Sequence, residues 1–572
     1  MLKTIRIRQR NAELFHQSNV LHPQFKRILS ARNLASVDEI DCRLEQMMPP
    51  QSIRNIGSAV DLLQPLLSQG KNILIFGDYD ADGATSTALC MRALTLMGFT
   101  SVDYLMPDRF SDGYGLSLSV AQRIVKRAPA CVITVDNGIS SIEGIALLRS
   151  TGIEVIVTDH HLPGEQLPDA SVILNQNAWA DEKVGRNLAG VGVVFYLMLA
   201  LRSQLRECGW FDRFEHEPNL ADCLDLVALG TVADLVPLDF NNRILIKEGL
   251  RRIRAGRACP GITALIQISD KEAAHLDCAD LAFALAPKIN AAGRLQDISI
   301  GVKCLLANDP QAIYLASQLD AINRERKQIQ QQMDSEAVQI MEQLPMQEIE
   351  ARSVLVLHRN DWHEGIVGIV AARLRERYHR PSIVFASAED GQLKGSGRSM
   401  HGIHLRDLLD RVDKAQPNLI NKFGGHAMAA GLTVDADKLA LFDQEINLQL
   451  EQIVPKGCFD PVIDCDGELD SDCLQLEFAR ELLDLSPWGQ LFPMPSFIGE
   501  FHVLQQRVLS DKHLKLELKP VGANTAAIDA IAFFQDDDIL QKDHQVLKIH
   551  YELSVNRFRG NESLQLMIKD IL

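Results

Sequence analysis

The sequence predicts an α/β protein with a parallel sheet covered by helices, a long connecting helix, a second α/β domain and a small terminal β-barrel or sandwich. Three observations carry this. Between Lys71 and Asn175 short apolar runs alternate with helical ones, as in strands buried on both faces of a parallel sheet. From Asp309 to Gln343 there is no glycine, no proline after Pro310, and a charged middle (NRERKQIQQQMDSE). That predicts one long, mostly solvated helix joining two lobes. After Phe459 five strand-sized segments follow, enough for a small antiparallel barrel or sandwich.

Taken in order, the strands of the first sheet are expected at Asn72–Phe76, Val102–Met106, Cys131–Val135, Ile153–Thr158 and Val172–Leu174, with helices such as Thr85–Met97 and Ile142–Ser150 between them. The pattern then turns helical through Leu188–Leu205, Ala221–Val232 and Ile244–Ile253. An α/β pattern restarts at Arg352–His358, Gly365–Tyr378 and Ser382–Ala386 and ends near Leu450. The last strands are expected at Phe497–Leu509, His513–Leu518, Ala527–Phe534, Lys548–Phe558 and Glu562–Ile568. The expected division is an N-terminal segment 1–50, a first domain 51–308 with a helical part, the connecting helix 309–345, a second α/β domain 346–456 and a terminal domain 457–572.

A chain of 572 residues holds about three to five domains at roughly 150 residues each. With 46% hydrophobic and 23% charged residues it is neither disordered nor fibrous. The 58 basic against 75 acidic residues leave a net charge of −17, which argues against binding nucleic acid by bulk attraction. The excess acid concentrates in Phe459–Gln490, nine carboxylates against one arginine, so any such binding must be local. The longest apolar run, Val191–Leu201, has 11 residues, too few to span a bilayer. The first residues lack the apolar core of a signal peptide. Eleven cysteines without a CxxC pair suggest reduced thiols, a cytoplasmic location and no zinc site.

The chemistry concentrates where strands end. Gly77-Asp78-Tyr79-Asp80-Ala81-Asp82-Gly83 comes directly after one strand and precedes a helix. Three alternating carboxylates repel one another unless exposed or neutralised by cations. Two more strands run into Asp136-Asn137-Gly138 and Asp159-His160-His161. Ligands of open α/β sheets bind at the carboxyl ends of strands, so these groups should converge on one crevice. Asp234, at the end of an apolar helical run, is costly to bury without a cation or donor. Carboxylates with imidazole and no cysteine suit manganese or magnesium. So many charges suit two ions about 3.5–4 Å apart, an arrangement that drives phosphoester hydrolysis.

GDYDADGATS, VDNG, TDHH and GTVADLVPL resemble, in order, the motifs of the DHH phosphoesterase superfamily, and the likeness runs from about Ile56 to the end. The resemblance implies Asp78, Asp80, Asp82, Asp136, His160 and Asp234 as metal ligands for Mn2+ or Mg2+, with Asp136 bridging. At Phe76 this chain lacks the histidine that some relatives use, which leaves Asp78 as the less usual ligand. Asp136, His160 and His161 are the expected catalytic residues, His161 lying near the scissile phosphate. The resemblance also implies a DHH-associated second domain and an oligonucleotide-binding (OB-like) terminal barrel. Its expected activity is 5′-to-3′ hydrolysis of single-stranded DNA to 5′-mononucleotides, in recombination and repair.

Substrate-binding residues are expected at Arg109, at Asn290 and Arg294 one helical turn apart, at Ser396 and Arg398 in a flexible loop (GSGRS), and at His426 in the small apolar loop GGHAMAAG. Asn556-Arg557-Phe558-Arg559-Gly560 pairs arginine with an aromatic that can stack on bases. Expected partners are single-stranded DNA and, from the acidic terminal region, a single-strand-binding protein or a helicase. No membrane is expected, and the chain should be a monomer. Two other readings stay open: a phosphoesterase for short oligonucleotides or nucleotide phosphates, and a non-catalytic repair scaffold.

Overall fold

The computed structural model describes residues 4–10, 21–32, 34, 36–454, 459–510, 512–523, 525–535 and 537–572. The boundary expected between 456 and 457, and parts of the N-terminal segment, lie outside the described residues. The chain forms two compact units. One comprises Ile5–Gly293, Asp297–Asp320 and Asp464–Leu572; the other is chiefly Ala321–Ile463 with Arg294–Gln296.

After a short strand β1 (Thr4–Ile7), the first unit builds a five-stranded sheet from β2 (Ile73–Phe76), β3 (Val102–Leu105), β4 (Cys131–Val135), β5 (Glu154–Thr158) and β6 (Val172–Leu174). Every pairing is parallel, in the order β3-β2-β4-β5-β6. The registers Phe76↔Thr134 and Val135↔Thr158 bring the carboxyl ends of β2, β4 and β5 level. The loops leaving these strands therefore share one edge. The helices Ala81–Leu96, Gly190–Glu207 and Leu224–Ala233 pack around that edge. The first of them begins inside the acidic motif, earlier than its apolar pattern suggested, because the Asp80 carboxylate caps it by accepting the Gly83 N–H.

The second unit holds a mixed sheet of β7 (Leu355–Arg359), β8 (Ser382–Ser387), β9 (Gln392–Arg398), β10 (Lys422–Gly425) and β11 (Ala429–Asp435), ordered β10-β11-β9-β8-β7. Only β7 and β8 run parallel. Two expectations are corrected here. Ser396 and Arg398 lie in the strand β9, not in a flexible loop: a Cβ on Gly395 would come within 2.4 Å of the Phe385 ring. The glycine serves close packing rather than mobility. Likewise GGHAMAAG is a β-hairpin whose turn carries His426, closed by the His426 N–H donating to Ala429 O.

The long helix spans Asp309–Glu342, 34 residues, about 51 Å at 1.5 Å per residue. It begins in one unit and ends in the other. It is less solvated than its composition suggested. Ala312, Leu315, Ala316, Leu319 and Ile322 are buried, and Met333, Ala337 and Met341 join the core around Trp362 and Ile366. These residues recur at helical spacing; the longest stretch without a buried residue is 324–332.

Beyond β12 (Val462–Cys465), which pairs with β1, the strands β13 (Phe497–Leu509), β14 (His513–Pro520), β15 (Ile528–Ala532), β16 (Val546–Phe558) and β17 (Asn561–Ile571) close into a barrel. It is antiparallel except for β15 with β17, the one parallel seam of a five-stranded barrel. Its alternation is visible in β14, where Leu514, Leu516 and Leu518 point inward. Among the described residues every cysteine is a free thiol, and no helix is long and apolar enough to cross a membrane.

Candidate active site

The level strand ends place four acidic segments around one crevice of the first unit. Asp78 lies just past β2, Asp136 just past β4, Asp159 and both histidines just past β5, and Asp234 caps the helix Leu224–Ala233. Three overlapping groups result, each with ligand atoms within 4.8 Å of one another. They are Asp78 with Asp80 and Asp136, Asp136 with His160 and His161, and Asp82 with His160 and Asp234. Asp136 and His160 each belong to two groups, so the six expected ligands form one continuous cluster.

Asp136 Oδ1 and His160 Nε2 are 3.0 Å apart, and His160 Nε2 is 3.4 Å from Asp234 Oδ2. The first two atoms are buried, yet neither makes a hydrogen bond of acceptable geometry. Buried polar atoms are rarely left so. Lone pairs converging from carboxylates and an imidazole fit a hard or borderline divalent cation. The residues present therefore suit Mn2+ or Mg2+.

The electrostatics agree. Burial, then the charge of Asp234, pushes Asp82 up to about 7; burial and the charge of Asp80 push Asp234 up to about 7. Asp78 and Asp136 are raised well above the carboxylate range by burial and by neighbouring aspartates. Burial and the His161 charge lower His160, favouring the neutral imidazole that ligates metal. Perturbation of this kind concentrates where acids are held for function.

Local contacts hold the groups in place. The Gly190 and Val191 N–H groups, at the start of the helix Gly190–Glu207, donate to Asp82 at 2.6 and 3.0 Å. A Cβ at Gly190 would sit 2.6 Å from Asp136 Cβ, so only glycine lets that helix end reach in. Asp82 retains acceptor capacity, since a carboxylate offers about four lone-pair sites.

Asp159 was not singled out as a site residue. It is fully buried and accepts from Ile139 N–H (2.9 Å), His160 N–H (2.7 Å), His161 N–H (3.0 Å) and His161 Nδ1–H (2.7 Å). Burial opposes protonation of His161, but the Asp159 hydrogen bond and charge prevail and push it up to about 9. Asn175 and Asn177 Nδ2 donate to the carbonyls of His161 and His160. The Asp-His-His triplet pointed to a ligand; nothing in its spacing showed the aspartate bracing the second histidine.

Arg109 lies with its guanidinium 4.9 Å from the Tyr79 ring, next to Asp78 and Asp80 in the chain. Tyr114 OH is 3.1 Å from His161 Nδ1. Asn290 Oδ1 accepts the Ala81 N–H at 2.8 Å, so it braces the acidic motif directly. Asn290 and Arg294 do share one helix, Ala286–Leu295.

In the second unit Arg294, Ser396 and Arg398 gather at the start of the helix Val367–Tyr378. Arg294 Nη1 donates to Gly365 O at 3.2 Å, and Arg398 Nη1 to Ser396 Oγ at 3.0 Å. A Cβ at Gly368 would come within 2.8 Å of Ser396 Oγ and 2.9 Å of Arg398 Nη2. This glycine-rich helix start (HEGIVG), overlooked in the sequence, lies beside two guanidiniums, which suit an anion; its Gly365, Ile366 and Val367 N–H groups donate to His363 and are already used. His426 lies in the hairpin turn of the same unit. On the barrel, Phe558 is 63% exposed and lies 5.1 Å from the Arg559 guanidinium. It is therefore not a core residue of its hairpin.

Known proteins match this architecture. Residues 72–231 match the DHH family, N-terminal domain, residues 351–452 the DHHA1 domain, and residues 465–570 the RecJ OB domain. Sheet, acidic cluster and matches together define a DHH phosphoesterase. The single-stranded-DNA-specific exonucleases RecJ of Salmonella typhimurium and Escherichia coli are each 47% identical to it over 96% of both chains. A crystal structure of RecJ in complex with Mn2+ from Thermus thermophilus has TM-score 0.82 and 28% identity, covering 100% of this chain and 79% of that one. The chain belongs to the RecJ family of single-stranded-DNA-specific exonucleases.

Proposed function

We propose that this chain is a two-metal exonuclease that hydrolyses single-stranded DNA in the 5′-to-3′ direction to 5′-mononucleotides, acting in the cytoplasm in recombination and repair. The observation that carries the reading is the continuous cluster in which Asp136 and His160 each join two ligand groups. Asp78, Asp80 and Asp136 would hold one ion, and Asp82, His160 and Asp234 the other. When bound, Mn2+ or Mg2+ supplies Lewis acidity and offsets the phosphate charge.

The chain's own groups do the rest. His161, braced by Asp159 and protonated near neutral pH, donates to an oxygen of the scissile phosphate. Arg109 and Asn290 hold the nucleotide beside the acidic motif. Arg294, Ser396 and Arg398 bind a phosphate of the strand at the helix start, and His426 contacts the same strand. Phe558 and Arg559 on the barrel stack on bases further along. The division into 51–308, 309–345, 346–456 and 457–572 assigns catalysis, connection, phosphate binding and strand binding in turn. A single-strand-binding protein or a helicase delivers the substrate to a monomeric enzyme.

The test uses one oligonucleotide labelled at either end, with Mn2+. A 5′ label is expected to appear first as mononucleotide while a 3′ label stays in long products, and blunt duplex resists. Early release of the 3′ label overturns the polarity, and loss of hydrolysis only upon EDTA addition supports the metal dependence.

A further inference from the structure

We infer that an apolar cavity beside Asp234 is a binding site for bases of the strand next to the nucleotide being hydrolysed. The inference rests on the proposed function. The cavity, of about 650 Å³, lies within the size of small-ligand clefts, roughly 300–1,000 Å³. It lies between the Thr231–Leu238 segment, the Pro487–Gln490 turn and the barrel strands β16 and β17.

Two backbone irregularities form its rim. Leu235 directly follows Asp234, holds φ +57° and is 64% exposed. Phe283 sits in a π-turn, Leu281–Leu285, and is 80% exposed. A leucine at positive φ is an outlier, and π-turns inside helices recur at functional sites. Both distortions present a large apolar side chain at the same opening.

The lining explains what it would take. Thr231 Oγ1 and Ser486 Oγ line the cavity, are buried and have no hydrogen-bond partner among the described residues. Arg254 and Lys569 are paired with Asp484 and Glu552 at 3.4 and 2.9 Å. Lys247 makes no ion pair among the described residues. An apolar slot with two unused hydroxyls and one cation suits flat heterocycles with polar edges, tethered to phosphate. Because Leu235 adjoins a metal ligand, the polymer held at the cluster is the occupant that reaches it.

The experiment compares (dT)12 with pdTpdT as substrates, and in EDTA photo-cross-links oligomers carrying one 5-iododeoxyuridine at successive positions. Phe283→Ala is expected to raise KM for (dT)12 about tenfold and leave pdTpdT turnover unchanged. Ala279→Trp, an exposed wall position, should do the same by filling the slot. Cross-linking should reach Phe283 from one or two internal positions. An unchanged (dT)12 KM in both variants, equal damage to pdTpdT turnover, or cross-links confined to other sites such as Phe558 overturns the inference and leaves the slot to a protein partner. Cross-linking at Phe283 in a chain that hydrolyses neither substrate keeps the site and removes the nuclease reading instead.

Discussion

Asp136 holds φ +63° at the end of β4, a left-handed conformation that aspartate tolerates better than most residues. Its position is set by the strand, its N–H donating to Thr158 O at 3.0 Å, while its carboxylate is buried among other acids. Such strain and burial belong to sites that hold charge for function. Asp136→Asn keeps shape and backbone but removes the charge. Hydrolysis should fall by about a thousandfold or more, with single-strand binding retained in a filter assay. Measurable turnover near the parent rate sinks the ligand assignment. Arg398→Ala should raise KM for single strands more than it lowers kcat, because the guanidinium sits at a helix start with Ser396 rather than in the acidic cluster. A fall in kcat alone would move Arg398 to the transition state.

Single elements explain features that residue types left silent. Residues 4–10 and 21–32 of the N-terminal segment, which has no motif of its own, form a basic strap. Arg6 binds the Asp464 carboxylate through two bonds, and Arg8 and Arg32 both bind Asp466 at 2.7 Å. The Phe25 ring stacks on Phe478 at 4.7 Å. The strap neutralises Asp464 and Asp466 within the acidic stretch from Asp460 to Asp484, whose net charge had suggested an outward-facing partner surface. With the Arg32 and Asp466 side chains 0% and 3% exposed, Asp466→Ala strands a buried cation and should cost about 3–5 kcal/mol. Urea unfolding followed by tryptophan fluorescence reads this; a change below about 1 kcal/mol would mean that Arg32 finds another partner.

For the whole molecule, the acid cluster ties stability to pH and metal. Asp82 and Asp234 rise from the ordinary 3.8 to about 7 in the fold. The folded state thus binds more protons than the unfolded one between those values. Metal-free stability should therefore fall as pH climbs from about 4 to about 7, and His161, raised to about 9, carries the fall on toward that value. Saturating Mn2+ should reverse this slope, since ions bind the ionised carboxylates. Thermal melts across that range, with EDTA or Mn2+, test both halves; a metal-free protein that gains stability toward pH 7 contradicts the cluster's electrostatics.

The acidic cluster was legible in the linear sequence because each expected ligand lies within a few residues of a strand or helix end, and local pattern marks those ends. Alternating apolar strands announced the parallel sheet, and the parallel order made convergence of Asp78, Asp136 and His160 a matter of geometry. The five barrel strands were legible for the same reason, through their period of two. Tertiary structure alone decided the rest. Gly395 reads as flexible yet packs on Phe385, since a missing Cβ permits either mobility or close approach and only the neighbour decides. Asp159 and Asp466 look like any other carboxylates until distant partners, Ile139 N–H and Arg32, arrive. The slot beside Asp234 has no sequence signature, because its walls come from segments more than 200 residues apart. What a side chain can do is written locally; which atoms it meets depends on the whole fold.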